Sequence, residues 1–92
     1  MGSGVTAPQL VTKMEPEYTE EARAAQLQGT VLLYVEIPPA GIPQNLVVTR
    51  GLGLGLDEKA LEAIRQWKFK PGMKDGQAVT VAAQIEVNFR LL

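Results

Sequence analysis

The first residues to test for chemistry are the carboxylates near the start of the chain. Glu15 and Glu17 flank Pro16, and Glu20 and Glu21 follow closely. Paired carboxylates do acid/base work when their surroundings drive their pKa values apart. These four stand in polar sequence with nothing to separate them, so a solvated lead into a helix accounts for them better. The chain has no histidine and no cysteine. That removes the commonest general base and metal ligand, along with disulfides and thiolate metal sites. The single serine, Ser3, has no base to activate it. No catalytic residue, no cofactor and no metal are expected.

GLGLGLD, residues 51–57, lies between a strand pattern and a helix pattern, where a phosphate loop would sit. Its glycines fall at 51, 53 and 55, and position 56 is leucine, so the G-x-G-x-x-G spacing fails. Asp57 would also put a carboxylate where a phosphate should dock. A strand-to-helix connection is the better reading. Lys68, Lys70 and Lys74 form the one basic cluster, yet the net charge is −1. Nucleic-acid binders carry a basic footprint, and sheet readers of RNA need several stacking aromatics. Tyr34 alone is a poor platform, so no nucleic-acid partner is expected.

The elements that must position any site follow from periodicity. With 92 residues, of which 46% are hydrophobic and 21% charged, one domain with a thin core is expected. MGSG reads as a cloning scar, residues 1–7 as a flexible lead-in, and residues 8–92 as the domain. No apolar run reaches the ~20 residues that span a bilayer as a helix. A short strand is expected around Leu10 to Lys13. Thr19 is a good N-cap, with Glu20 and Glu21 favourable at the positive end of the helix that follows; Gly29 suits the turn after it. TVLLYVEI, residues 30–37, is a strand with Val31, Leu33, Val35 and Ile37 on one face. PPAGIP breaks it, and residues 44–50 form a second strand in a hairpin. Asp57 reads as the N-cap of a second helix over 58–68, with Leu56 and Leu61 as a hydrophobic staple. Leu61, Ile64 and Trp67 then share its apolar face with Ala60, and Trp67 reads as core.

The chain closes on VTVAAQIEVNFRLL, residues 79–92, which alternates strictly. Val79, Val81, Ala83, Ile85, Val87, Phe89 and Leu91 are apolar; Gln84, Glu86, Asn88 and Arg90 read as a solvated face. On this pattern Val81→Asp or Ile85→Asp should unfold the domain. About thirteen residues of strand would outrun two partners of about seven or eight, which leaves backbone groups without a partner inside the domain. Such an edge must be covered or used: by a partner's strand, by a second copy, or by the N-terminal segment. The element order helix–strand–strand–helix–strand implies an α+β fold, a three-stranded antiparallel sheet with two helices on one face.

Three blocks resemble the TonB C-terminal domain family. PEYTEEARAAQLQGTVLLYVEI is similar to its P-x-Y-P-x-x-A-(several)-G-x-V entry. LDEKALEAIRQWKFKP is similar to its second helix, which ends in W-(R/K)-(F/Y)-x-P, and the alternating end is similar to its last strand. Together they cover residues 8–92 in the family's order. Thr19 departs from the family's proline after tyrosine, and PPAGIP departs from its D-G hairpin turn. The resemblance implies a periplasmic binding module whose parent protein is anchored in the inner membrane. It implies coupling of an inner-membrane proton-channel complex to outer-membrane transporters, through a grip on the transporter's Ton box as an added strand. On this chain it implies that Val79, Thr80, Val81, Ala82, Ala83, Gln84, Ile85 and Glu86 pair with that strand, while Glu15, Pro16, Glu17 and Tyr18 contact it. Tyr18 also reads simply as a packing residue at the helix entrance. The alternative is a self-associating structural or tethering domain whose last strand is paired in a homodimer, sometimes by exchange.

Overall fold

The computed structural model describes residues 4–91. The scar assignment at residues 1–3, with Ser3, and the domain's last residue, Leu92, lie outside the described residues. Along the chain come β1 (Gln9–Thr12), α1 (Glu20–Ala24), β2 (Gly29–Ile37), β3 (Gln44–Arg50), α2 (Leu56–Ile64), β4 (Lys68–Lys70), β5 (Gly72–Lys74), β6 (Gln77–Val79) and β7 (Val81–Phe89). The expected three-stranded antiparallel sheet is present in the order β3-β2-β7, joined by two small ladders, β1-β4 and β5-β6.

The core lies on one face of the sheet. Val31, Leu33, Val35 and Ile37 of β2 are fully buried against Ala22 of α1 and Leu56, Ala60 and Ile64 of α2. Val87, Phe89 and Trp67 complete the cluster. Each fully buried side chain of this size contributes roughly 1.5–3 kcal/mol of transfer free energy. Both helices therefore sit on the same face, and the opposite face stays open, with Tyr34 and Val47 exposed on it.

α1 starts as its residues dictate: the Thr19 hydroxyl accepts the Ala22 amide N–H at 3.1 Å. It stops differently. Gln26, with φ 56°, takes the left-handed position after the last turn, and Leu27 N–H closes on Ala22 O at 2.9 Å. Gly29 already belongs to β2. α2 is shorter and earlier than its periodicity implies. It runs over Leu56–Ile64 with Gly55 as N-cap, not over 58–68. Asp57 does not cap it; its Oδ1 turns back to accept the Leu52 N–H at 2.8 Å, which ties down the loop before the helix. Leu56, expected as a staple outside the helix, is its first residue and fully buried. Past Ile64 the chain leaves the helix so that Lys68–Lys70 can pair with Gln9–Thr12, while Trp67 still fills the core.

The last stretch departs most from expectation. β2 has nine residues, not seven or eight, and pairs with β7 one-to-one from Gly29↔Phe89 to Ile37↔Val81. Residues 77–79 do not continue that ladder. Asp75 (φ 52°) and Gly76 (φ 79°) both take positive φ, the pattern of a tight hairpin turn, and fold β6 back on β5 with Val79 opposite Gly72. A local hairpin closes a short loop and so costs little entropy. The alternation hides the change of partner because the odd positions keep their parity through Thr80. No overhang results; the thirteen-residue strand is two strands with two partners.

Candidate functional site at the outer edge of the last strand

β7 is the outer strand of the main sheet, and β2 occupies its inner edge completely. Among the described residues no strand pairs with its outer edge. Its even positions, Ala82, Gln84, Glu86 and Asn88, are exposed. Its core-facing positions divide in two. Val87 and Phe89 are buried, at 3% and 2% exposure, whereas Val81, Ala83 and Ile85 are only half-buried. The expectation that charge at Val81 or Ile85 unfolds the domain is therefore corrected. Both face the core side, but neither is sealed from water, so the full penalty of a buried charge does not apply there.

The sealed half packs in one cluster with Trp67 and Tyr18. Residues 13–18 run beside the far half of β7 and are held from three directions. The buried Trp67 indole donates Nε1–H to the Met14 carbonyl at 2.8 Å. Tyr18 donates its hydroxyl to the Leu27 carbonyl at 2.7 Å and sets its ring edge-on to Phe89, 5.5 Å between centroids. Lys59 Nζ lies 3.8 Å from Glu17 Oε1, and Lys13 lies over the Trp67 ring at 5.8 Å. Two clefts separate this segment from β7. One of about 90 Å³ is lined by Lys13, Glu15, Pro16 and the core residue Trp67 against Glu86, Val87 and Asn88. The other, about 300 Å³, is lined by Glu15, Pro16 and Tyr18 against Asn88, Phe89 and Arg90.

The structure thus brings Glu15, Pro16 and Tyr18 together with the 86–90 end of the strand. Glu17 turns toward α2 and Lys59. Val81, Ala82, Ala83, Gln84, Ile85 and Glu86 lie in sequence along β7. Val79 belongs to the β5-β6 hairpin, and Thr80 is the junction between the two strands. Sequence reasoning missed Asn88, Phe89 and Arg90 as lining residues, and Met14 as the anchor point. One signal was available: a buried Trp must find an acceptor for its N–H.

On the open face, the Asn45 amide donates to Glu36 Oε1 at 2.7 Å and the Tyr34 hydroxyl donates to Oε2 at 3.1 Å. The Asn45 bond first, then the Tyr34 bond, hold the Glu36 carboxyl below the usual glutamate range. The bond to Glu36 pushes the Tyr34 hydroxyl up. Among the described residues no cluster of three or more His, Cys, Asp or Glu is placed to hold a metal ion. What the site offers is a row of backbone hydrogen-bonding groups beside a half-exposed apolar strip, which suits strand recognition.

Residues 14–91 match the family model described as "Gram-negative bacterial TonB protein C-terminal". The chain is 38% identical over 90 residues to "Protein TonB" of Vibrio cholerae, an alignment that covers 95% of this chain and 36% of the relative. It is 31% identical over 77 residues to "Protein tonB2" of Pseudomonas aeruginosa, covering 83% and 28%. It is 24% identical over 87 residues to "Protein TonB" of Escherichia coli K12, covering 94% and 36%. The chain spans about a third of the length of these relatives. Its fold is that of the "Solution NMR structure of Pseudomonas aeruginosa TonB CTD", with a TM-score of 0.73 over 98% of this chain and 89% of that one, at 21% identity. With its sheet order, its two helices on one face and a match over nearly all of its described length, the chain belongs to the TonB protein C-terminal family, whose members are not enzymes.

Proposed function

We propose that this chain is the partner-gripping domain of a TonB-type energy transducer, with residues 8–92 as the domain. An extended segment of an outer-membrane transporter, its Ton box, adds as a strand to the outer edge of β7. Backbone from the 79–86 stretch supplies the rungs, and Glu15, Pro16, Glu17 and Tyr18 contact the same segment. The parent protein works in the periplasm, is anchored in the inner membrane upstream of this domain, and draws on an inner-membrane proton-channel complex. The observation that carries this reading is the outer edge of β7, unpaired among the described residues, beside the half-exposed Val81, Ala83 and Ile85. Five or six new backbone bonds at ~0.5–1.5 kcal/mol net each, less the cost of ordering the partner, give micromolar-class binding. A contact of that strength suits a cycle of grip and release.

The same edge supports a second reading, a homodimer in which the twin chain supplies the strand. Titration of ¹⁵N-labelled protein with a Ton-box peptide separates the two. Amide shifts concentrated at 79–86 and 15–18 are expected. A monomeric sample without such shifts would overturn the transducer reading. A dimer at low micromolar concentration, silent to the peptide, would favour the twin-chain reading.

A further inference from the structure

We infer that the 13–18 segment is a stop, held by the Trp67–Met14 hydrogen bond, that confines an added strand to residues 81–85 of β7. The inference rests on the strand-addition reading above and concerns where on the edge the partner sits. A strand added to a sheet lies about 4.8 Å from its neighbour, in the plane of the sheet. The residues that share clefts with Glu15 and Pro16 run consecutively from Glu86 to Arg90 and so alternate between the two faces of the sheet. A segment adjoining both faces of a strand stands at its side, in the lane an incoming strand would need. Pro16 is the wrong residue to complete a ladder, because it has no N–H to give. Proline, charge and a covering loop are the devices by which proteins blunt sheet edges. Here all three fall on one half of β7: Pro16, then Lys13 and Glu15, on a segment fixed by the buried Trp67.

Among the described residues the other half has no such cover. Val81, Ala83 and Ile85 are half-buried where Val87 and Phe89 are sealed. The stop therefore dictates the chemistry of the occupant. It is a short extended segment, with apolar side chains at alternate positions to extend the strip made by Val81, Ala83 and Ile85. Its end abuts Glu15 and Pro16. A polar or longer strand gains nothing beyond Ile85, because the lane is closed. Trp67 acts through Met14 and does not touch the partner, so it is a positioning residue.

Amide exchange in the presence of a nine-residue Ton-box peptide, matched to the nine residues of β7, tests this. In the wild type, new protection is expected within 81–85 only, and cutting the peptide to five residues leaves its affinity unchanged. In Trp67→Phe, which keeps a ring in the core and removes the donor, protection should spread into 86–89. The nine-residue peptide should then bind several-fold tighter than the five-residue one. Pro16→Gly, outside the core cluster, loosens the segment's backbone and provides the same readout without touching the core. Protection through 86–89 in the wild type would overturn the stop. So would the same length dependence in both variants as in the wild type, with binding intact. Absence of any peptide binding would instead overturn the strand-addition reading, and the stop with it.

Discussion

Tyr18 and Phe89 meet edge to face, 5.5 Å between ring centroids, and so fasten the entrance of the first helix to the end of the last strand. The same tyrosine donates to the Leu27 carbonyl at 2.7 Å, beyond the far end of that helix. Tyr18→Phe keeps the ring contact and strands the carbonyl, at a cost of about 1 kcal/mol. Tyr18→Ala loses both and should cost about 2–4 kcal/mol. Urea unfolding of the two variants checks the order; equal losses would mean that the ring contact contributes nothing.

The uneven sealing of β7 sets the second expectation. Val87 is 3% exposed, and among the described residues no charged group is buried in the core to pair with an aspartate there. Val87→Asp should cost about 4 kcal/mol or more, enough to leave the chain largely unfolded. Ile85→Asp, at a half-buried site, should cost about 1–2 kcal/mol and leave a folded protein. Thermal melts of both decide it, and a folded Val87→Asp variant would contradict the placement of that side chain.

Gly41 and Gly76 both hold positive φ, 81° and 79°, but in different surroundings. A Cβ on Gly41 would overlap the Phe69 carbonyl oxygen, whose own residue donates its N–H to Gly41 O at 2.8 Å. A Cβ on Gly76 meets nothing within 4 Å. Gly41→Ala should therefore destabilise by about 2–4 kcal/mol and Gly76→Ala by about 1 kcal/mol. Matched denaturation curves measure the gap.

Glu36 titrates below the usual glutamate range because Asn45 and then Tyr34 hydrogen-bond its charged form. A depressed folded pKa contributes stability that is present above the unfolded value and fades as pH falls through the folded one. Tyr34 has the opposite sign: its raised value favours the neutral hydroxyl, and that contribution fades as pH rises through it. Both groups are open to solvent, so the direct readout is the side-chain carboxyl shift against pH. Asn45→Ala should move the Glu36 midpoint up toward an ordinary glutamate, and by more than Tyr34→Phe does. An unmoved midpoint in Asn45→Ala would remove Asn45 as the cause.

Much of the fold was readable in the residues. The Thr19 cap, the buried face of β2 and the one-sided sheet all follow from local pattern, because each depends on neighbours close in sequence. What escaped depends on distant partners. α2 ends at Ile64 because Lys68–Lys70 find Gln9–Thr12, a pairing that no helical periodicity announces. The break at Thr80 leaves the alternation unchanged and so leaves no mark in it. At the site, the resemblance names Glu15, Pro16 and Tyr18 but not Asn88, Phe89 and Arg90. The helix-then-strand order does not say that the lead-in lies beside the strand's far end. Asp57 shows the same limit in miniature, since an aspartate before a helix caps it or ties down the preceding loop with the same oxygen.

The N-terminal segment has a mechanical character of its own. It runs back along β4 and β5 with Gln9 opposite Lys70 and Leu10 opposite Phe69, and Thr6 N–H reaches Met73 O at 2.9 Å. The chain thus enters beside β5 and travels inward to Thr12, while its neighbour leaves the core at Lys68 and travels outward. A tension applied upstream of Thr6 and directed away from the core pulls the two strands from opposite ends, as in a lap joint. Its rungs then bear the load together in shear. A sideways pull on the same residue would open them one at a time, like a zip. The domain is in this sense a directional fastener, stiff along the β1–β4 ladder and yielding across it.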